Sequence, residues 1–151
     1  MLKFVADREI YEEVICAAVP KARQILWLAT SDLKDLHVRK GRSMVPFLEL
    51  LSDLIRRKVE VRLLHAKPPG PVFQRDFDRY PNLIAGLERM LCPRVHTKCV
   101  VVDATYAYLG SANLTGAGLG AKSPRRRNFE SGIVTTDKVI IDKIMEHFDG
   151  I

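Results

Sequence analysis

The sequence predicts an α/β layered fold. Two observations carry it: short apolar, strand-like runs alternate with amphipathic helical stretches, and Pro- or Gly-marked connections separate them. A third bounds its size. With 151 residues, 47% of them hydrophobic, the chain suits one domain spanning 1–151 that buries roughly two-thirds of its unfolded surface.

The elements follow in order. "LKFV" reads as a short strand, and Asp7 is placed to cap a helix "REIYEEVICAAV" in which Ile10 and Val14 recur at helical spacing, with Pro20 marking its end. "QILWLAT" is a near-continuous apolar strand containing Trp27, read as core, and "SDLKDLHVRKGR" reads as a connection. "SMVPFLELLSDLIRR" predicts a helix capped by Ser43 with Pro46 in its first turn. "VEVRLLH" predicts a strand with Val59, Val61 and Leu63 on one face.

"AKPPGPVF" reads as a loop, because proline fixes φ and removes a donor, and "LIAGLERML" as a short helix. "RVHTKCVVVD" and "TYAYLGS" read as two strands, "ANLTGAG" as a strand-to-helix turn, "ESGIVTT" as a strand, and "DKVIIDKIMEHF" as a final helix capped by Asp137.

Lys and Arg number 24 against 18 Asp and Glu, a net charge of +6 that favours anionic partners. Cys16, Cys92 and Cys99 form no CxxC pair and read as small buried hydrophobes in a reducing compartment. The first residues become charged before a leader's apolar core can form, and no run has the length of a membrane span, so the expectation is a soluble cytoplasmic protein.

The polar residues inside "RVHTKCVVVDATYAYLGSANLT" need a reason. In an extended strand His96 and Lys98 share a face and can act on one ligand, whereas Asp103 points the other way and ends the strand against backbone or a cation. Gly110 permits close approach just before Ser111 and Asn113.

These residues spell H-x-K-x4-D-x6-G-S-x-N, which resembles the HKD signature of the phospholipase D superfamily, with His96, Lys98, Asp103, Gly110, Ser111 and Asn113 filling its positions. "NFESG" extends the likeness, Asn128 and Glu130 resembling the downstream N-x-E element. The resemblance implies a phospholipase D-like layered fold, a central mixed β-sheet flanked by α-helices. It further implies a phosphodiesterase resembling small dimeric bacterial endonucleases and working through a covalent phosphohistidine.

In that chemistry one histidine attacks phosphorus and another protonates the leaving oxygen, a division of labour suited to a group titrating near neutrality. Lys98 and Asn113 would hold non-bridging oxygens, Ser111 would add a hydrogen bond, and Glu130 would accept from the other ring nitrogen of His96. Neither metal nor cofactor is implied. The chain carries one such motif where the reaction uses two, so the resemblance implies a homodimer with a composite site containing His96 of each copy.

Other patterns weigh less. His65-Ala66-Lys67 repeats H-x-K without the rest, and His65 reads as a hydrogen-bonded strand-end histidine; His147 reads as a helix-terminus charge. A Ser-His-Asp triad lacks its G-x-S-x-G elbow, and the four histidines have no metal-ligand spacing. "GLGAKSPRRRN" concentrates Lys122, Arg125, Arg126 and Arg127 beside Asn128, an electrostatic rim for a polyanion. The leading expectation is therefore a nuclease. A phospholipase D acting on phospholipid, by hydrolysis or transfer, is the second, and a non-catalytic phosphate- or nucleic-acid-binding module the third.

Overall fold

The computed structural model describes residues 1–119 and 125–151. Seven strands form a mixed sheet in the order β1-β11-β9-β8-β2-β6-β7. These are β1 Leu2–Ala6, β2 Ile25–Thr30, β6 Glu60–His65, β7 Leu87–Leu91, β8 Cys99–Val102, β9 Tyr106–Gly110 and β11 Ser131–Thr135. β2, β6 and β7 run parallel, while β8, β9, β11 and β1 follow as antiparallel neighbours. The α/β expectation holds.

Alternation along β2 shows how the sheet is buried. Leu26 and Leu28 face the larger core, with the first helical segment and the helix α2 Phe47–Arg56; Trp27 and Ala29 face the smaller one, closed by the final helix, Lys138–Asp149. Both faces are covered, so the run "ILWLAT" is apolar throughout rather than alternating. Trp27 is core, as read: its ring stacks on Phe148 at 5.0 Å between centroids and carries the Arg62 guanidinium on it. Asp137 caps the final helix, its carboxylate accepting from Ile140 N at 3.1 Å.

Several local expectations are corrected. The first helix begins as α1 Arg8–Ile10, continues as a π-helix over Tyr11–Ala18, with Val19 N–H reaching Val14 O, and ends in a 3-10 turn, Val19–Lys21. Asp7 precedes it without capping it. The segment read as connection holds β3 Leu33–Lys34 and β4 His37–Lys40, and β4 pairs with β5 Ser43–Pro46 as a hairpin. Ser43 is thus in a strand, and the helix starts after Pro46, whose φ of −59° and ψ of 146° are extended.

Pro71 opens α3 Pro71–Arg79 instead of lying in a loop, since proline's missing donor is tolerated in a first turn. "LIAGLERML" divides at Gly86 into α4 Asn82–Gly86 and strand β7, because pairing with β6 outweighs local helix propensity. β8 begins only at Cys99, so His96 and Lys98 precede the strand. "ANLTGAG" forms β10 Leu114–Thr115, parallel to β3, then turns, with no helix among the described residues. The final helix is α5. Cys16 is exposed, whereas Cys99 is buried and its thiol is pushed up to about 12 by desolvation.

Candidate active site

His96, Lys98, Ser111, Asn113 and Glu130 gather at one end of the sheet, while Asp103 does not join them. Antiparallel pairing sets Cys99 opposite Ala29 and Leu109, and Gly110 opposite Gly132, so the end of β2, the approach to β8, the end of β9 and the start of β11 meet there. His96 is exposed and Lys98 half-buried. The Lys98 ammonium donates to His96 Nδ1 at 3.4 Å. Their shared side therefore arises even though the strand begins after them.

The turn carrying Ser111 and Asn113 is held from three directions. Ser31 N–H donates to Asn113 Oδ1 at 3.0 Å, and because only the amide's oxygen can accept, Nδ2 is left as its donor end. The fully buried Thr30 hydroxyl donates to Asp32 O at 2.6 Å and accepts from Leu114 N at 3.0 Å. Beneath the turn the buried Tyr108 hydroxyl accepts from Ala112 N at 3.3 Å.

Gly110 and Gly132, paired across β9 and β11, leave the slot that admits this tyrosine. A Cβ at Gly110 would stand 2.3 Å from the Tyr108 hydroxyl, and one at Gly132 2.6 Å from its ring. Glycine in the G-S-x-N element is thus a packing requirement.

No hydrogen bond joins Glu130 to His96 among the described residues. The Glu130 carboxylate accepts from the Ser111 hydroxyl and from Asn128 Nδ2 at 3.3 Å. Ser111 Oγ in turn accepts from Ser131 N at 3.0 Å. The reason is local: Glu130 immediately precedes β11, whose pairing with β9 puts Ser111 alongside, whereas His96 is turned toward Lys98.

Asp103 lies at the opposite end of β8. Its carboxylate accepts from the backbone N–H groups of Arg23, Gln24 and Ile25 at 3.1, 2.7 and 3.0 Å, fastening the start of β2. The residue adopts φ 54°. It supports the sheet from behind and does not reach the reacting groups.

Arg125 and Arg126 are exposed and Arg127 half-buried on the approach to Asn128; Lys122 lies outside the described residues. Phe129, 97% exposed between Asn128 and Glu130, is an aromatic that sequence reasoning passed over. A cleft of about 390 Å³ adjoins His96 and is lined also by Cys92, Arg94, Thr97 and His147. His147 thus faces the same cleft as His96, beyond its place near a helix end.

His65 also ends at this side of the sheet but is buried, Nδ1–H donating to Lys67 O at 2.9 Å, with no partner at Nε2 among the described residues. Its pKa is lowered, chiefly by desolvation. Sequence reasoning missed Thr30, Ser31 and Tyr108 as supports of the turn; the polar Thr-Ser pair closing an otherwise apolar strand was the available signal. No group of three metal-ligating side chains exists among the described residues, and no helix is long and apolar enough to cross a membrane.

Comparison with known proteins defines the class. A family model described as "Cardiolipin synthase, PLD-like domain" matches residues 15–151, and the chain belongs to this phospholipase D-like family. It is 32% identical over 95 residues to 5'-3' exonuclease PLD3 of Bos taurus, an alignment covering 58% of this chain and only 19% of that protein.

Among solved structures, the fold is similar to Nuc of Salmonella typhimurium, a phospholipase D family member, at TM-score 0.73 and 15% identity, covering 99% of this chain and 93% of that one. It is likewise similar to NucT from Helicobacter pylori, at TM-score 0.71 and 15% identity, covering 99% and 95%. At such identities the likeness is one of fold.

Proposed function

We propose that the chain is a metal-independent phosphodiesterase that cleaves nucleic acid through a phosphohistidine at His96. The observation that carries this reading is the single end of the sheet where His96, Lys98, Ser111, Asn113 and Glu130 converge, in a chain of this family. Residues 1–151 act in this reading as one domain.

In the ground state Lys98 donates to His96 Nδ1, which places the proton of a neutral ring on Nε2. An arriving phosphate draws the Lys98 ammonium onto a non-bridging oxygen, and Asn113 Nδ2 donates to another. Solvent then delivers a proton to Nδ1 and accepts the one on Nε2, and the freed Nε2 lone pair attacks phosphorus. The P–O bond opposite breaks, and the leaving oxygen takes a proton from His96 of a second copy. Water, losing its proton to that second imidazole, then attacks the phosphohistidine and frees His96.

Each copy brings one histidine, so the active unit is a homodimer with one composite site. Ser111 holds the Glu130 carboxylate at the edge of this site, and Asp103 keeps β2 in register behind it. Arg94, Arg125 and Arg126 supply a positive rim; Phe129 supplies an exposed aromatic face on which a base can stack. Net charge of +6 favours the same partner. Arg127 adds to this rim and Asn128 stands beside it as a neutral amide; Lys122 is a further cation of the same stretch by sequence alone.

The family's description names cardiolipin synthase, which favours phospholipid as the second substrate class. Parallel assays in EDTA on single- and double-stranded DNA, RNA, phosphatidylcholine and cardiolipin separate the two: cleavage confined to nucleic acid is expected, and cleavage confined to lipid overturns the substrate. His96→Ala should abolish turnover while retaining anion binding. Light scattering that shows a fully active monomer removes the composite site.

A further inference from the structure

We infer that Asp7 is a positioning residue for the Glu130 arm of the site, an inference that rests on the proposed phosphodiesterase reading for its catalytic consequence. β1 and β11 pair with Ala6 opposite Ser131, which brings Asp7 alongside Glu130 across 123 residues of sequence. Asp7 N–H donates to Glu130 O at 2.9 Å, and Glu130 N–H donates to Asp7 Oδ1 at 2.9 Å. Both backbone polar groups of Glu130 are thereby held by one residue.

The conformation of Asp7 is costly. At φ 53° and ψ −129° it occupies a region open to glycine and strained for any residue with a Cβ. It also stands directly before a helix, where an aspartate ordinarily caps, yet makes no side-chain cap hydrogen bond. The carboxylate is aimed away from its own helix and toward Glu130.

Local interactions therefore explain neither the residue nor its backbone; the contact with Glu130 explains both. Residues 128–130 have no regular structure of their own. The Glu130 carboxylate must nevertheless meet Ser111 and Asn128. Clamping its backbone at the sheet edge sets where that carboxylate arises. Asp7 also lies outside residues 15–151, the stretch matched by the family model.

Three full-chain variants test this. Asp7→Gly relieves the strained backbone and removes the acceptor. Asp7→Asn keeps an acceptor and tolerates positive φ. Asp7→Ala keeps the strain and loses the acceptor.

On a small chromogenic phosphodiester, Asp7→Gly should unfold at the wild-type temperature or higher, yet lose about tenfold or more in kcat with a smaller change in KM. Asp7→Asn should restore activity to within about threefold of wild type. Asp7→Ala should lose both stability and kcat. Wild-type kcat in folded Asp7→Gly, or equal losses in the Gly and Asn variants, overturns the inference.

Hydrogen exchange at the Glu130 amide reads the clamp without turnover. Protection in wild type and Asp7→Asn, lost in Asp7→Gly, is expected; unchanged protection in Asp7→Gly overturns it. Should wild type cleave no phosphodiester, the functional reading fails while this exchange measurement still decides the clamp.

Discussion

Ser31 N–H and Asn113 Oδ1 are hydrogen-bonded at 3.0 Å, joining the end of β2 to a turn 82 residues later. The bond orients the Asn113 amide, so one end of the side chain builds the site and the other is left to bind. Asn113→Asp keeps an acceptor for Ser31 but replaces the donor with a negative charge. It is expected to fold near wild-type stability and to lose more than about tenfold in kcat/KM on a phosphodiester. Unaltered kinetics in a folded Asn113→Asp protein would remove Asn113 from phosphate binding.

Asp103 serves the fold from the far end of the sheet. Removing its carboxylate in Asp103→Ala takes the charged acceptor from the N–H groups of Arg23, Gln24 and Ile25, and with water able to replace it at the exposed ones the cost is about 1–2 kcal/mol in denaturant unfolding. At temperatures where the variant remains folded, kcat should stay near wild type. A large fall in kcat without a fall in stability would place Asp103 in the chemistry instead.

The rim makes an ionic-strength prediction. For wild type, log affinity for single-stranded DNA should fall linearly with log salt. Arg94→Ala and Arg125→Ala should each shallow that slope by roughly 0.7 if each residue meets one phosphate. Small-phosphodiester turnover should change little in either variant, since neither side chain is assigned to the reacting group. An unchanged slope in both variants would assign the polyanion path to other residues.

His65 makes a pH prediction. Burial lowers its pKa in the folded protein, and among the described residues Nε2 has no partner to welcome a proton. Above about pH 6.5 the ring is neutral in both states; below it the unfolded chain binds a proton that the folded one resists, so stability falls until the lowered folded pKa is reached. His65→Gln should lose less stability than wild type between pH 7 and pH 5 by urea unfolding. Equal losses would show that other groups carry the acid sensitivity.

Much of this was legible in the chain. β2 announced itself as an apolar run, β6 by the alternation that puts Val59, Val61 and Leu63 on one face, and α5 by its periodicity and Asp137 cap. The spacing from His96 to Asn113 survives folding because two adjacent antiparallel strands return Asn113 to the end from which His96 leads in. Less legible were Ser43, drawn into a hairpin by Lys40 opposite it, and Leu87–Leu91, claimed by β6. A strand partner outweighed local preference at both places, a near neighbour across a tight hairpin for Ser43 and a distant strand for Leu87–Leu91.

The sequence by itself determined the α/β layering, the chemical types at His96, Lys98, Ser111, Asn113 and Glu130, and their membership of one motif, because periodicity and spacing are local properties of a chain. Only the tertiary structure decided that Asp7 abandons its helix for Glu130, that Ser31 and Tyr108 hold the Asn113 turn, and that Glu130 meets Ser111 rather than His96. Those contacts join residues brought together by sheet pairing. A hydrogen bond depends on distance and direction in space, which the order of residues along a strand does not specify.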